Sequence, residues 1–471
     1  MADSNHPDNT PDLPGDDESG NDSGQNNPFA DAFSQMFSSG GIDPEQLSAA
    51  GIPTDPATLQ QVFAQVQQWM SNADPSSPIN WKLAQDTARA KAAGDDPSVS
   101  AVDVRAVDEA FRLAQLWLDE ATSIPTAVAR AGALSRAEWV EQTMPTWKSL
   151  AGPVASSVSR AMSESMLEQA PEEMRGMLAG AGQMMQSVGG SIYGTQLGQA
   201  VGTLAGSVLT STEIGLPLLG DGHAALLPHN IAAFAGDIQV SEDDARIYLA
   251  VREDAHIRLF EHAPWLRSHV LTLVEEYARG VQVDTSRLED LASKIDMNDP
   301  SSITDQLSSG MFEMSTSETQ KNALKRLETT LALIEGWVDE VTHAATSALA
   351  SRDSLRESMR RRRAAGGPAE NTFATLVGLE LRPRRLRDAA ALWATIARER
   401  GAEARDAVWS HPDLLPDASD LDDPLGYYER REKHQADSDA MDAALRELID
   451  DEQGGNDKSD DDKPGNGEPG N

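Results

Sequence analysis

The sequence predicts a mainly α protein: one large helical body with few short strands, flanked by disordered acidic tails. Three observations carry that expectation. Apolar residues recur at helical spacing through several long segments, no alternating apolar–polar run of comparable length occurs, and both ends are acidic and poor in apolar residues. The 471 residues exceed one ordinary domain and suffice for a large core.

In chain order, residues 1–27 carry seven acids and no Lys or Arg. They cannot bury enough apolar surface to offset their ordering entropy, so they read as a disordered tail. Met1 to Thr10 lack the basic and apolar stretches of a signal peptide, which makes the cytoplasm the expected compartment. The body spans 28–450, with 28–100 as an N-terminal subregion. Val107, Phe111, Ala114 and Leu118 form one helical stripe, and Ser135 with Glu138 opens the next helix as a capping box. Short extended pieces are expected near Leu216–Leu219 and Ala225–Pro228. Ser241, followed by three acids, caps another helix. Ser317 and Gln320 open a long one, whose stripe runs through Leu324, Leu327, Leu331, Ile334, Val338 and Val341. Breaks fall at Asn72–Pro78, Gly94–Pro97, Gly215–Gly222, Val283–Asp299 and Gly366–Pro368, none long enough for an interdomain linker. Residues 451–471 hold seven acids, two Lys and five Gly, and read as a second disordered tail.

Composition excludes some functions. The absence of cysteine rules out a disulfide scaffold, thiol catalysis and thiolate metal sites, so any metal must be held by His, Asp or Glu. A formal charge of −37 repels nucleic acid and anionic lipid, and no nucleic-acid partner is expected. Two segments stand out against that background. Gly190, Gly194, Gly198, Gly202 and Gly206 recur at every fourth position within a stretch free of charge from Arg175 to Glu213. That spacing suits close backbone approach, either in a membrane or inside a globular body. The glutamines, Ser187 and Thr195 favour the globular body, and no stable membrane insertion is expected. Residues 352–405 hold 13 Arg against seven acids, with Arg360 to Arg363 contiguous. Pairing with the protein's own acids is the expected role, with a phosphorylated or nucleic-acid partner as the alternative.

The helix after Ser241 could carry chemistry. Ala245, Tyr248, Leu249, Ala255, Leu259 and Phe260 make its apolar face, and Arg252, Glu253 and His256 project to one side of it. Polar groups there need a partner: a metal, a substrate or another side chain. Arg252-Glu253-Asp254-Ala255-His256 has the spacing of the zincin His-Glu-x-x-His helix with its first residue changed. Arginine is always charged and cannot ligate a cation, so a buried Arg–carboxylate–His network competes with a metal site. His262 lies six residues past His256, the third-ligand spacing of the long metzincin motif, with Leu259 where that motif has glycine. Glu335, Asp339 and His343 share a stripe on the long helix, and Glu335 is the type of residue that supplies a further zinc ligand from a separate helix.

From about Phe29 to Tyr428 the chain resembles the zincin-like metallopeptidases, also described as hydrolases, found mainly in actinobacteria. The resemblance rests on Asn80-Trp81, Leu116-Trp117-Leu118-Asp119-Glu120, Gly194-Thr195-Gln196-Leu197-Gly198, Leu227-Pro228-His229-Asn230-Ile231, the Arg252–His256 segment, Pro264-Trp265-Leu266, Leu333-Ile334-Glu335-Gly336-Trp337, Arg360 to Pro368 and His411-Pro412-Asp413. It implies a zincin-like helical fold and a zinc-dependent hydrolase acting on a protein or peptide. Glu253 would be the catalytic glutamate, and His256 and Glu335 would be zinc ligands, with His262 a further candidate. One branch of the family keeps the intact motif and a later Glu-Gly-His. This chain looks like the other branch, with Arg252 and Trp337 in place of the two histidines. A degenerate zincin that binds a protein or peptide without cleaving it is therefore the competing expectation, and a membrane-associated scaffold built on the glycine ladder is a third.

Overall fold

Helix α1 (Trp81–Ala92) begins where the Asn80 side chain accepts from the Leu83 amide at 3.1 Å. It lies along helix α4 (Glu172–Ala205), and the glycine stripe explains how. A Cβ added at Gly190 would stand 2.9 Å from the Pro78 carbonyl oxygen, one at Gly194 2.6 Å from that of Asn80, and one at Gly202 2.7 Å from that of Ala88. At Gly198 it would collide with the Ala84 carbonyl and the Thr87 side chain. The stripe is thus a track for the backbone of α1 inside the protein. Gly206 lies past the end of α4 and takes no part in it. Among the described residues, no helix is long and apolar enough to cross a membrane.

The structure is a computed structural model that describes residues 77–169, 172–279, 317–365 and 383–456. These residues fall in one compact unit, Gln65–Lys294 with Asp305–Asn471. The N-terminal tail, most of the 28–100 subregion, the break at Val283–Asp299 and that at Gly366–Pro368 lie outside the described residues.

Between α1 and α4 run helix α2 (Ala101–Ala121), strand β1 (Arg130–Ala133) and helix α3 (Arg136–Gln169). The Ser135–Glu138 capping box forms as the spacing predicts: the Ser135 amide donates to the Glu138 carboxylate at 2.8 Å and the Glu138 amide to Ser135 Oγ at 3.3 Å. Strand β2 (His223–Leu226) pairs with β1 in parallel, Arg130 opposite His223 and Ala133 opposite Leu226. The expected extended piece near Leu216–Leu219 is irregular backbone. That at Ala225–Pro228 is cut short, because Pro228 starts helix α5 (Pro228–Ile238).

Helix α6 (Glu242–His262), capped by Ser241, runs through the middle of the core. Every residue from Tyr248 to Phe260 is buried, so it has no solvent face along that length. Helices α2, α5, α8 (Glu318–Ala345) and α9 (Arg352–Ala365) pack on it, and α7 (Trp265–Arg279) and α10 (Leu386–Ala407) pack on α8. Ser317 and Gln320 cap α8 reciprocally, and its predicted apolar stripe is buried apart from half-buried Leu324. Trp393 stacks on Trp409 at 5.3 Å, and Trp337 meets Trp409 edge-on at 6.5 Å. The short helix α11 (Ala418–Asp422) leads to α12 (Tyr427–Asn456). α12 extends six residues into the expected C-terminal tail, so 451–456 are helical rather than irregular.

Candidate functional site

The loop between α4 and β2 delivers two hydroxyls to the buried face of α6. It is stitched to β2 by Ser211 donating to the Ala225 carbonyl at 3.0 Å and Leu227 donating to that of Leu209 at 3.0 Å. Ser211 and Thr212 are thereby held against Glu253. Glu253 Oε1 accepts from the Ser211 hydroxyl and from the Ala225 amide at 3.4 Å. Its Oε2 accepts from the Thr212 amide at 3.1 Å and the Thr212 hydroxyl at 2.5 Å. Four donors match the four lone-pair positions of a carboxylate, so Glu253 has no acceptor capacity left for water.

Arg252 turns toward α8, where its guanidinium donates to Glu335 Oε2. Arg363 of α9 donates to Glu335 Oε1 at 3.1 Å. Burial works against the charge on Glu335, but the guanidiniums of Arg252 and Arg363 overcome it and hold the carboxyl well below the usual carboxylate range. Burial likewise opposes the charge of Arg252, and Glu335 outweighs it. Gly215 is required beside this cluster. Its φ of +84° is one that L side chains rarely adopt, and an added Cβ would stand 2.9 Å from Glu335 Oε1.

His256 completes the site. Its Nδ1 lies 3.0 Å from the Arg252 carbonyl and 3.2 Å from Thr212 Oγ1. Its Nε2 has no hydrogen-bond partner, and Glu335 Oε1 stands 3.5 Å away. Thr212, His256 and Glu335 thus form a hydroxyl–imidazole–carboxylate series. Thr212 gives its one hydroxyl proton to Glu253, however, so the imidazole has no nucleophile to activate.

A second layer continues the pattern. Arg356 and Arg360 both bond Asp339, at 2.6 and 2.7 Å, and Arg362 bonds Glu213 at 2.5 Å. Arg356, Arg360 and Arg363 fall at i, i+4 and i+7 of α9, facing Asp339 and Glu335 at i+4 and i of α8. The arginine-rich segment therefore pairs with the protein's own acids along this face.

Of the sequence-predicted site residues, the structure brings Arg252, Glu253, His256 and Glu335 together. It leaves His262 exposed at the end of α6, because six residues of unbroken helix carry it about 120° around the axis from His256. Trp337 is buried among tryptophans and donates to Asp406 at 2.9 Å, away from the cluster. His343 is half-buried, 3.8 Å from Asp353. Sequence reasoning missed Ser211 and Thr212, and it expected Arg363 to pair with an acid of the protein without placing it at this site. The polar run Thr210-Ser211-Thr212-Glu213, placed between apolar segments, was the available signal for the hydroxyls.

Zinc is the group the motif implies. The 3.5 Å between His256 Nε2 and Glu335 Oε1 suits two ligands of one tetrahedral ion. The rest does not fit. Both Glu335 oxygens are held by arginines, the first-ligand position is itself an arginine, and Glu253 is saturated by donors. Among the described residues, no three His, Asp or Glu side chains are grouped to hold a metal ion.

A sequence model of zincin-like metallopeptidases matches residues 79–428. At the level of the family this supports a metallohydrolase. No curated protein matches the sequence. In three dimensions the chain is similar to a Chloroflexus aurantiacus protein described as a hydrolase candidate with a novel fold. The two share 19% identity with a TM-score of 0.53, over 75% of this chain and 99% of the other. That likeness is one of fold.

Proposed function

The chain belongs to the zincin-like metallopeptidase family, a membership that by itself supports a metallohydrolase acting on a protein or peptide; from the residues in the ligand positions we propose that it is a catalytically silent member, binding a protein or peptide rather than cleaving one. The observation that carries the reading is the Arg252–Glu335 pair. The residue in the first-ligand position donates its guanidinium to the carboxylate that would have completed the metal site. Arg363 adds a second cation on the same carboxylate. A dication placed beside two guanidiniums is repelled. Glu253, bonded by Ser211, Thr212 and the Ala225 amide, serves as a tie between α6, the α4–β2 loop and β2. Calorimetric titration of the full chain with zinc tests the reading. The expected result is no site-specific heat, with the His256→Ala variant giving the same trace. A stoichiometric binding isotherm abolished by His256→Ala would overturn it.

The second reading is a zinc-dependent hydrolase acting on a peptide. Family membership and the unpartnered Nε2 of His256, 3.5 Å from Glu335, favour it. It requires Arg252 and Arg363 to leave Glu335.

A further inference from the structure

Helix α12 leaves the body after one docked turn. Tyr427 is buried at its start, Arg430 bonds Asp420 and Asp423, and Arg431 bonds the Leu415 carbonyl at 2.9 Å. From Glu432 to Arg446, every residue whose burial is described is exposed. A helix of that length with no packed face is marginal in water, since tertiary packing of an apolar stripe supplies most helix stability. Such a stripe exists and is uncovered: Met441 is 66% exposed and Leu445, one turn on, is 54% exposed, with Ala444 beside them. Leu448 follows at the next position of that spacing in the sequence. The rim is acidic. By helical spacing Asp442 falls on one side of the stripe and Glu447 on the other, and from Glu432 to Asp450 there are six acids against Lys433 and Arg446.

We propose that α12 is a docking helix that lays Met441 and Leu445 into an apolar groove rimmed by Lys or Arg on a partner protein. Charge selects the occupant. An apolar stripe with acids on both sides matches a groove with bases on both sides, the helix-in-groove mode of recognition. A second copy of α12 would set acid against acid, which argues against self-pairing.

A defined probe tests this with the full chain. A fluorescent amphipathic peptide of Leu and Lys supplies an apolar face rimmed by bases. A scrambled peptide of the same composition supplies the charge without the face. Anisotropy should show the amphipathic peptide binding at least tenfold more tightly than the scrambled one, with weakening at higher salt. The variant Met441→Ser/Leu445→Ser should lose that tenfold difference while its melting temperature stays unchanged, because neither residue packs on the body. Equal binding of the two peptides, or a preference that survives in the variant, would overturn the proposal. A concentration-dependent dimer that needs Met441 and Leu445 would overturn it in favour of self-association. None of these outcomes depends on whether zinc is bound.

Discussion

Arg252 shares the Glu335 carboxylate with Arg363. It is buried against a buried carboxylate, and removing it leaves Glu335 with Arg363 and an imidazole that makes no hydrogen bond to it. Arg252→Ala should therefore cost about 3 kcal/mol of stability, read as a drop of several degrees in melting temperature. Arg252→Lys should recover only part of it, since an ammonium keeps the charge but not the fork. An unchanged melting temperature for Arg252→Ala would show that the pair is not formed. Asp254, two residues along α6 and on its opposite side, is a buried carboxyl that behaves in the opposite sense. Burial pushes its pKa up to about 6, with Arg258 opposing, and its Oδ2 has no hydrogen-bond partner. A folded-state pKa above the unfolded one means that the folded state binds the proton more tightly. Its stabilising contribution is present below about pH 4 and is lost as pH rises through 6, a swing on the order of 2–3 kcal/mol. Glu335 is depressed instead, so its contribution is present above the usual carboxylate range and is lost only as pH falls below it. Asp254→Asn should flatten the pH 4–6 part of the stability profile and raise stability at pH 7.5. Parallel profiles for the two proteins would contradict this account of Asp254. The sequence pointed to Arg252, Glu253 and His256 because helical spacing alone puts them on one side. It could not place Ser211 and Thr212, which come from about 40 residues away through a loop sewn to a two-stranded sheet.

At the scale of elements, the glycine stripe of α4 packs directly on the backbone of α1. Gly198 and Gly189 lie on the same helix and differ in surroundings: an added Cβ collides with the α1 backbone at Gly198 and meets nothing within 4 Å at Gly189. Gly198→Ala should destabilise by on the order of 2 kcal/mol through the displaced α1 backbone. Gly189→Ala should be neutral or stabilising by up to about 1 kcal/mol, from helix propensity. Equal effects at the two positions would contradict the packing of α1 on the stripe. Elements with a 3.6-residue stripe, α2 by the stripe alone and α6 and α8 with a cap as well, were legible in the sequence. Strand β1 was not, because Arg130-Ala-Gly-Ala has no β-branched or aromatic residue and is a strand only by pairing with β2. The burial of α6 on all sides was also hidden. Its sequence is rich in charge and reads as amphipathic, and only tertiary partners make its polar residues tolerable in a core.

For the molecule as a whole, the zincin-like scaffold and the charges in its centre give different messages. Family membership points to metal-dependent hydrolysis, while the residues in the ligand positions form an ion-paired core between α6, α8 and α9. The α9 arginines extend that core outward to Asp339, so the helix that contributes Arg363 is itself fixed by charge. The most direct test of the central claim is the zinc content, by elemental analysis, of full-length protein purified without added metal or chelator. The account predicts zinc far below one atom per chain, in the wild type and in His256→Ala alike. Near-stoichiometric zinc in the wild type that disappears in His256→Ala would contradict it.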